Sequence, residues 1–331
     1  MMKLERKLKA ALRQLGVGQT FSLVIAISGG ADSVSLLDAC VRLKKHGKLP
    51  GALFAVHLNH QLRGEESDGD EDFVQRLAAE RGVELHIERI AVADVARAEK
   101  RNLEAVARRL RYEFLAQAAK RFNAAFVCTA HTLDDQAETI WMRLLRGTGA
   151  EGLHGIHPIS PLSETAKLIR PMLSVTRAEV LAHCEHYNLD FRLDSSNLSR
   201  ELTRNRIRQE LIPLLKGFNQ RSNETLVRSA KLISDDDDCL RQIAAEVLAK
   251  TRSGQKVNAK LLKQYHPAIR RRVLRMWVEE TRGNLRRVGA VHIAALESLI
   301  ECEEGGRVIE LPGSWQVRRK HGVLEIAAMS E

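Results

Sequence analysis

The amino-acid sequence predicts an α/β protein: a doubly wound parallel sheet, followed by a smaller, mostly helical α+β domain. Short apolar runs rich in β-branched residues alternate with helical patterns in the N-terminal part, an order typical of βαβ units. Three polar clusters each follow a predicted strand: Ser28 to Ser33, His57 to Arg63 and His131 to Thr139. Because ligands of such sheets bind beyond the carboxyl ends of the strands, we expect these clusters to meet at one site.

Four strands and the helices between them define the predicted N-terminal domain. Asn102 is the predicted N-cap of a helix from Leu103 to Arg121, and Thr176 that of a helix from Arg177 to Tyr187. The strands are Phe21 to Ile27, Ala52 to Val56, Glu84 to Ile90 and Ala125 to Ala130. We place the domain boundary after Lys216, which gives domains of residues 1–216 and 217–331. In the second domain we expect helices from Asn258, Pro267 and Val288, and strands from Arg307 to Leu311 and Val323 to Ile326.

A glycine-rich turn, Ser28-Gly29-Gly30-Ala31-Asp32-Ser33, joins the first strand to a helix. Adjacent glycines let the backbone bend close to a ligand, and the amides of a helix start attract anions. The Lys of the common nucleoside-triphosphate loop is absent. Asp32 would repel phosphate unless a divalent cation such as Mg²⁺ lies between them. A tight turn with a capping Asp is the alternative. The predicted phosphate-binding residues are Ser28, Gly29, Gly30, Ala31, Asp32 and Ser33.

A second motif, His131 to Thr139, follows the fourth strand. Its acids Asp134, Asp135 and Glu138 share one face of a helix start. They would hold Mg²⁺, with Asp134 as a candidate ligand beside Asp32, or the cationic groups of a substrate. Acids placed only for the helix dipole are the alternative, which explains one carboxylate better than three.

Four other patterns are less specific. Gly147 to Gly152 spells GxGxxG but follows a helix, so it is not a dinucleotide fingerprint. The acidic run Asp235 to Asp238 suits a helix start better than a metal cluster. His57 and His60 could join His131 at a metal, although hydrogen bonding near a nucleotide is favoured. Asp194 to Asn197 is predicted to be a turn.

Charge points to a polyanionic partner. The 331-residue chain carries a net charge of +10 with a pI near 9.6, and the excess is spread over both predicted domains, which favours a long polyanion across them. The runs Arg270 to Arg272 and Arg318 to Lys320 are phosphate contacts or simply solvated surface. No apolar run is long enough for a membrane span. Five cysteines without a CxxC pair indicate a reducing cytoplasm.

Several motifs carry a family resemblance. SGGADS resembles the pyrophosphate loop of the N-type ATP pyrophosphatases, the PP-loop superfamily, which cleave ATP between its α- and β-phosphates. HTLDDQAET, HLNHQLR, LLRGTGAEGLHGI and TRNRIR together are similar to the tRNA(Ile)-lysidine synthetases, from about Ser22 to Leu215. Beyond Gly217 the resemblance is looser, because Asn219-Gln220 replaces the family's Asn-Pro. Longer relatives carry a further C-terminal domain that we expect this chain to lack.

The resemblance implies an adenine nucleotide α-hydrolase-like fold and a two-step ligation. ATP and Mg²⁺ are the implied cofactors, and free L-lysine and a CAU-anticodon tRNA(Ile) the implied substrates, the C-terminal domain binding tRNA. The wobble cytidine is first adenylated, and lysine then displaces AMP to give lysidine, so that the tRNA reads AUA and is charged with isoleucine. A homodimer is left open.

Site residues follow from the matching motifs. ATP would bind to residues 28–33. The implied catalytic residues are Asp32, Arg111, His131, Asp135 and Glu138. The implied substrate-binding residues are Arg108, Arg204 and Arg206, with Arg208 beside them. The resemblance leaves open whether a carboxylate or His131 accepts the proton of the lysine amine.

Three rival functions remain. A tRNA thiolase would use the same adenylation but generally needs a cysteine pair or cluster ligands, which the cysteine spacing does not offer. A glutamine-fed amidating synthetase would leave the basic charge unexplained. A non-catalytic tRNA-binding protein on an inactive fold is disfavoured, because the loop and the acids of DDQAE are intact together.

Overall fold

The computed structural model describes residues 1–17, 22–49, 51–192, 203–302 and 307–329. The chain divides into two compact units, Met1–Lys231 and Leu232–Glu331. The expected boundary after Lys216 stays a prediction. Phe21 and the expected turn at Asp194 to Asn197 lie outside the described residues.

The first unit alternates strands and helices. Its strands are β1 (Leu23–Ala26), β2 (Leu53–Asn59), β3 (Glu84–Arg89), β4 (Phe126–Cys128), β5 (Ile159–Pro161) and β6 (Lys167–Ile169). Its helices are α1 (Lys3–Gln14), α2 (Ala31–Lys45), α3 (Glu65–Arg81), α4 (Val92–Ala98), α5 (Leu103–Arg121), α6 (Leu133–Arg146), α7 (Arg177–His186), α8 (Thr203–Arg206) and α9 (Ile212–Phe218). A 3-10 helix (Ala150–His154) follows α6, and a π-helical turn (Ile207–Leu211) joins α8 to α9. The helix α10 (Ser222–Thr251) then continues into the second unit.

The predicted doubly wound sheet is confirmed. The strand order is β3-β2-β1-β4-β6-β5, and only β5 runs antiparallel to its neighbour. Strand β1 pairs in parallel with β2 on one side and β4 on the other, so the chain reverses direction across the sheet at β1. This switch point opens a crevice beyond the carboxyl ends of β1 and β4.

Helices cover both faces of the sheet, and β1 alternates between them. Leu23 and Ile25 pack into a core that includes α1, α2 and α7. Val24 points to the opposite core, where Phe114 and Leu115 of α5 pack. Because β1 is buried on both faces, its apolar residues run without interruption, as expected for a central parallel strand.

The second unit has the expected α+β composition with a larger sheet than predicted. Its antiparallel strands, in the spatial order β7-β8-β11-β10-β9, are β7 (Arg252–Ser253), β8 (Lys256–Asn258), β9 (Val308–Leu311), β10 (Trp315–Lys320) and β11 (Val323–Ala328). Its helices are α11 (Ala259–Leu262), α12 (Pro267–Arg282) and α13 (Ala290–Glu301), around the fully buried Trp277. No helix of the described residues is both long and apolar enough to cross a bilayer.

Strand β10 was not predicted from the sequence, because it contains the basic run Arg318 to Lys320. Val317 and Arg319 face the interior of the unit, whereas Arg318 and Lys320 are exposed. The buried Arg319 guanidinium donates to the carbonyl oxygens of Leu299 and Ile300, which belong to the last turn of α13. A cation at a helix C-terminus stabilises its unpaired carbonyls. Three consecutive cations therefore hide an ordinary alternation of buried and exposed positions.

The prediction that Asp235 to Asp238 begins a helix was wrong. The run lies in the middle of α10. Asp237 is only 3% exposed, and its carboxylate accepts a hydrogen bond from Arg272 of α12. The sequence could not reveal this partner, which is 35 residues away along the chain.

Removing the Asp237 carboxylate should destabilise the second unit. Asp237→Ala leaves the Arg272 guanidinium without this ion pair, so we expect the free energy of unfolding to fall by about 2 kcal/mol. The exposed neighbour Asp236 gives a matched control, for which Asp236→Ala should change stability by less than about 0.5 kcal/mol. Urea denaturation followed by tryptophan fluorescence, in a Trp141→Phe background, reports on Trp277 and Trp315. Equal effects of the two substitutions would contradict the buried ion pair.

Candidate active site

A cleft of about 610 Å³ lies at the carboxyl ends of β1, β2 and β4, a volume typical of small-molecule sites. It brings together three sequence-predicted clusters: the glycine turn, the HLNHQLR segment and the HTLDDQAET segment. The predicted residues on its wall are Ser28, Gly30, Asp32, Ser33, His57, His60, Arg111, His131 and Asp135. Asp134, Glu138, Arg108, Arg204 and Arg206 do not line this cavity.

The glycine turn leaves helix amides available to an anion. Gly30 is the N-cap of α2 and provides no side-chain hydrogen bond to the first turn, although the first amides of a helix need a partner. The Ser33 hydroxyl braces the turn: it donates to the Gly30 carbonyl at 2.9 Å and accepts from the Ser28 amide at 3.2 Å. The turn is therefore an ordered cradle that a phosphate would complete.

Gly29 is favoured by the conformation of its backbone. Its φ of +86° lies in the left-handed region, whereas a Cβ there would make only ordinary contacts, 3.4 Å from the Phe73 ring and 3.5 Å from Cγ of Arg192. Its carbonyl also accepts the Arg192 amide at 2.9 Å. This hydrogen bond helps to fix the backbone of the turn.

Asp32 lies in the first turn of α2 and already has a cationic partner. Its Oδ1 accepts a hydrogen bond from Nη1 of Arg177 at 2.5 Å. Burial raises the pKa of Asp32 above its usual value, and Arg177 opposes that rise only in part. This partly open carboxylate, 33% exposed, is the kind of ligand that Mg²⁺ accepts.

The donor set fits Mg²⁺ bound together with phosphates. Among the described residues, no group of three or more His, Cys, Asp or Glu side chains could hold a metal alone. Mg²⁺ usually takes one or two carboxylates and completes its shell with water and substrate phosphates. Asp32 beside a phosphate cradle meets that need.

Two acids of α6 and two later arginines form one compact acid–arginine cluster: Asp135, Glu138, Arg204 and Arg208. Arg204 donates from Nε to Glu138 and from Nη2 to Asp135, both at 2.7 Å. Arg208 donates from Nε to the other Glu138 oxygen at 2.6 Å. The arginines are four residues apart and so share one helical face. The Glu138 side chain, 1% exposed, is paired with both arginines.

Asp134 faces away from this cluster. Its Oδ2 accepts the Arg177 amide at 2.6 Å and its Oδ1 accepts Nδ2 of the buried Asn223 at 3.0 Å. Both oxygens therefore have protein partners. The structure does not bring Asp134 to the cavity wall, and its expected role as a magnesium ligand stays a prediction.

Electrostatics keep Asp135 ionised and His131 neutral. Burial alone would raise the pKa of Asp135, but the Arg204 charge and hydrogen bonds from Thr132 hold it below its usual value. Burial lowers the pKa of His131 to about 4, opposed by Asp135 and reinforced by Arg170. Its Nδ1 lies 3.0 Å from the Thr129 hydroxyl. At neutral pH the site thus holds a carboxylate beside a neutral imidazole.

The remaining predicted arginines take different positions. Arg111 reaches the cleft, where burial and the neighbouring Arg108 lower its pKa. Arg108 lies outside and donates to the Tyr112 hydroxyl at 3.1 Å. Arg206 is 63% exposed and pairs with Glu210 at 3.3 Å on the outer side of its helix. Arg204 and Arg206 are therefore not neighbours in the site.

His57 and His60 line the cleft with separate environments. Nδ1 of His57 lies 2.8 Å from the Ile27 carbonyl oxygen at the end of β1. Burial and the Arg111 charge lower the pKa of His60 to about 4. Within the part of the chain that the structure describes, these residues belong to no metal-binding group.

Sequence reasoning missed Arg177, Arg192 and Asn223. Arg177 and Arg192 each contact the glycine turn, and the Asn223 amide donates a hydrogen bond to the Asp134 carboxylate. One signal was available for Arg177, because it directly follows the predicted N-cap Thr176. Such a cap predicts where a helix begins but not which distant carboxylate its first side chain will reach.

Comparisons with known proteins agree with this fold. A family model described as the PP-loop domain matches residues 1–215, and one described as the TilS substrate binding domain matches residues 258–324. A U34-tRNA thiolase structure from Methanococcus maripaludis, determined with its [4Fe-4S] cluster, superposes with a TM-score of 0.58 at 19% identity, covering 70% of this chain and 79% of that one. The last likeness concerns the fold alone. The sheet, the uncapped glycine turn and the match of residues 1–215 to the PP-loop model define an ATP-utilising PP-loop protein.

Curated relatives specify the family further. The chain is 35% identical to a tRNA(Ile)-lysidine synthase of Dehalococcoides mccartyi (strain CBDB1), covering 98% of this chain and 70% of the relative. It is 36% identical to a tRNA(Ile)-lysidine synthase of Clostridioides difficile (strain 630), covering 90% and 64% respectively. The chain therefore spans about two thirds of the length of these relatives. It belongs to the tRNA(Ile)-lysidine synthase family, whose members are ligases.

Replacing His131 should reduce the loss of folding stability that occurs as the pH falls. An unfolded histidine has a pKa of about 6.5, whereas burial lowers that of folded His131 to about 4. As the pH falls between these values the unfolded chain takes up the proton first, so stability is lost over this window. Urea denaturation at about pH 7 and about pH 5 should therefore show a smaller loss for His131→Asn than for wild type.

The exposed His46 provides the matched control, and His46→Asn should leave the loss between the two pH values close to that of wild type. An equal loss in His131→Asn and wild type would contradict the buried neutral imidazole.

Proposed function

We propose that this protein ligates free L-lysine to the wobble cytidine of a CAU-anticodon tRNA(Ile) and consumes ATP to AMP and pyrophosphate. One observation carries the proposal: a phosphate cradle and Asp135, a member of the acid–arginine cluster, line the same crevice at the switch point of the sheet. The first feature suits a polyphosphate and the second suits a zwitterionic amino acid. Family membership supplies the tRNA and the product.

The first step is adenylation of the base. The cytidine carbonyl oxygen attacks the α-phosphorus of ATP, and the bond to the β-phosphate oxygen breaks to release pyrophosphate. The first amides of α2, which have no side-chain cap, would hold the departing phosphates. Bound Mg²⁺, held by Asp32, would neutralise the charge that develops on the leaving group. Arg111 also lines the cleft and suits the α-phosphate.

The second step forms the carbon–nitrogen bond. The lysine side-chain amine attacks the activated ring carbon, the bond to the adenylate oxygen breaks, and AMP leaves. Only the neutral amine is nucleophilic, so its proton must go to an acceptor in the cleft. Asp135, ionised at neutral pH, and the neutral imidazole of His131 both lie on the wall and are the candidate acceptors.

The acid–arginine cluster explains how lysine would be recognised. A free amino acid carries a carboxylate and ammonium groups, and it needs partners of both signs. Asp135 presents a carboxylate to the cleft, and the Arg204 guanidinium is its immediate neighbour. Glu138, buried behind them, holds Arg204 and Arg208 in place. Lysine would thus exchange into an existing network of charge-assisted hydrogen bonds.

The second unit would contact tRNA through exposed cations. Arg318 and Lys320 lie on the exposed side of β10, within the segment that matches the substrate binding domain. Arg270 and Arg272 are less available, because they pair with Glu297 and Asp237. A tRNA substrate implies a cytoplasmic location, and assembly as a homodimer stays a prediction.

Separate assays of the two products would test the reaction. With ATP, Mg²⁺ and CAU tRNA(Ile) but no lysine, we expect pyrophosphate release that stops at about one equivalent per tRNA, because adenylation needs no amine. Addition of lysine should then release AMP. AMP release that requires sulfide would indicate a thiolase, and AMP release that requires glutamine and a partner protein would indicate an amidating synthetase. Absence of both products under all conditions would favour a tRNA-binding protein without activity.

Asp135→Asn should separate the two steps. Loss of the ionised carboxylate removes a charge-assisted contact to the ammonium, so we expect lysine-dependent AMP release to fall about tenfold or more. Pyrophosphate release without lysine should change much less. Asp94→Asn, at an exposed position on α4, is the matched control and should leave both rates unchanged. Equal loss of both products in Asp135→Asn would contradict this division of roles.

A further inference from the structure

We infer that Arg177 is a phosphate-binding residue that exchanges partners during the reaction. In the unliganded chain its guanidinium neutralises Asp32, and in the ATP complex it contacts the β- and γ-phosphates while Asp32 serves Mg²⁺. The inference rests on the proposed function, because it assumes that ATP occupies the cradle. Neither the sequence motifs nor the predicted site residues included Arg177.

The contact between Arg177 and Asp32 is short and open to solvent. Nη1 of Arg177 lies 2.5 Å from Oδ1 of Asp32, and the side chains are 42% and 33% exposed. An ion pair that water can reach is worth little net free energy. Its partners can therefore separate at small cost once better ones arrive.

Charge requires that the pair open when nucleotide binds. Asp32 stands at the start of α2, beside amides that attract phosphate. A carboxylate at that position repels phosphates unless a cation intervenes. If Mg²⁺ takes the carboxylate, the Arg177 guanidinium loses its partner next to the same phosphates, whose oxygens it matches in geometry. Both cations then neutralise the leaving pyrophosphate.

The backbone of Arg177 is held so that only its side chain needs to move. Its amide donates to Oδ2 of Asp134 at 2.6 Å, and Asn223 holds the other oxygen of that carboxylate at 3.0 Å. Thr176 caps the helix in a reciprocal box with Glu179. Lys3 and Lys7 of α1 pair with Glu179 at 2.8 and 2.7 Å. Asp134 thereby acts as a positioning residue for Arg177.

Pyrophosphate is the probe that isolates this contact. Isothermal titration of the full chain with pyrophosphate, in the presence and absence of Mg²⁺, measures binding without turnover. We expect Arg177→Gln to weaken Mg²⁺–pyrophosphate binding about tenfold or more, the effect of losing a charge-assisted hydrogen bond. AMP, which lacks the β- and γ-phosphates, should bind the variant as it binds wild type.

Asp32→Asn tests the exchange itself. Without the carboxylate, Arg177 is already free, so we expect metal-free pyrophosphate to bind this variant more tightly than it binds wild type. Addition of Mg²⁺ should improve binding much less than in wild type. Tighter metal-free binding that disappears in the Asp32→Asn, Arg177→Gln double variant would assign the gain to Arg177.

Controls keep the outcomes distinct. Arg97→Gln removes an exposed arginine of α4 and should leave binding unchanged, and circular dichroism verifies that each variant is folded. Should Arg177→Gln fail to fold, Arg177→Lys keeps the charge without the planar fork and should weaken binding by a smaller factor. Wild-type affinity in every folded Arg177 variant would overturn this inference alone. Failure of wild type to bind Mg²⁺–pyrophosphate would overturn the proposed function as well.

Discussion

The neutralisation of acidic side chains by arginines from later in the chain is the interaction on which the site depends. Asp32 and Asp135 lie around a cleft that would receive a polyphosphate, and buried Glu138 lies behind it. Each is paired: Asp32 with Arg177, and the two α6 acids with Arg204 and Arg208. Without these partners the carboxylates would repel ATP and one another.

The parallel sheet brings the acids and the arginine of α7 together at one edge. Reversal of strand order at β1 opens the crevice between the ends of β1 and β4, where the phosphate turn and α6 begin. The helix α7 follows β6 in the chain, and its first residue, Arg177, reaches Asp32. Residues far apart in the sequence thus form one electrostatic unit because parallel strands share a carboxyl edge.

Local patterns predicted the sheet and the cleft well. Apolar runs predicted β1 to β4, β9 and β11, but not the other strands. Asn102 and Thr176 predicted helix starts that the structure confirms, and polar clusters after strands predicted most of the cleft wall. What remained hidden depends on distant pairing. Asp134 contacts Arg177 and Asn223, and nothing in its local spacing distinguishes it from Asp135.

The central claim is that a cytidine base, activated in the phosphate cradle, is joined to lysine held by the acid–arginine cluster. Mass spectrometry of the wobble nucleoside, after incubation of CAU tRNA(Ile) with the protein, ATP, Mg²⁺ and isotopically labelled lysine, tests it most directly. The account predicts that the cytidine gains the mass of one labelled lysine less one water. A wobble nucleoside that stays unmodified, or that gains mass without the label, would contradict it.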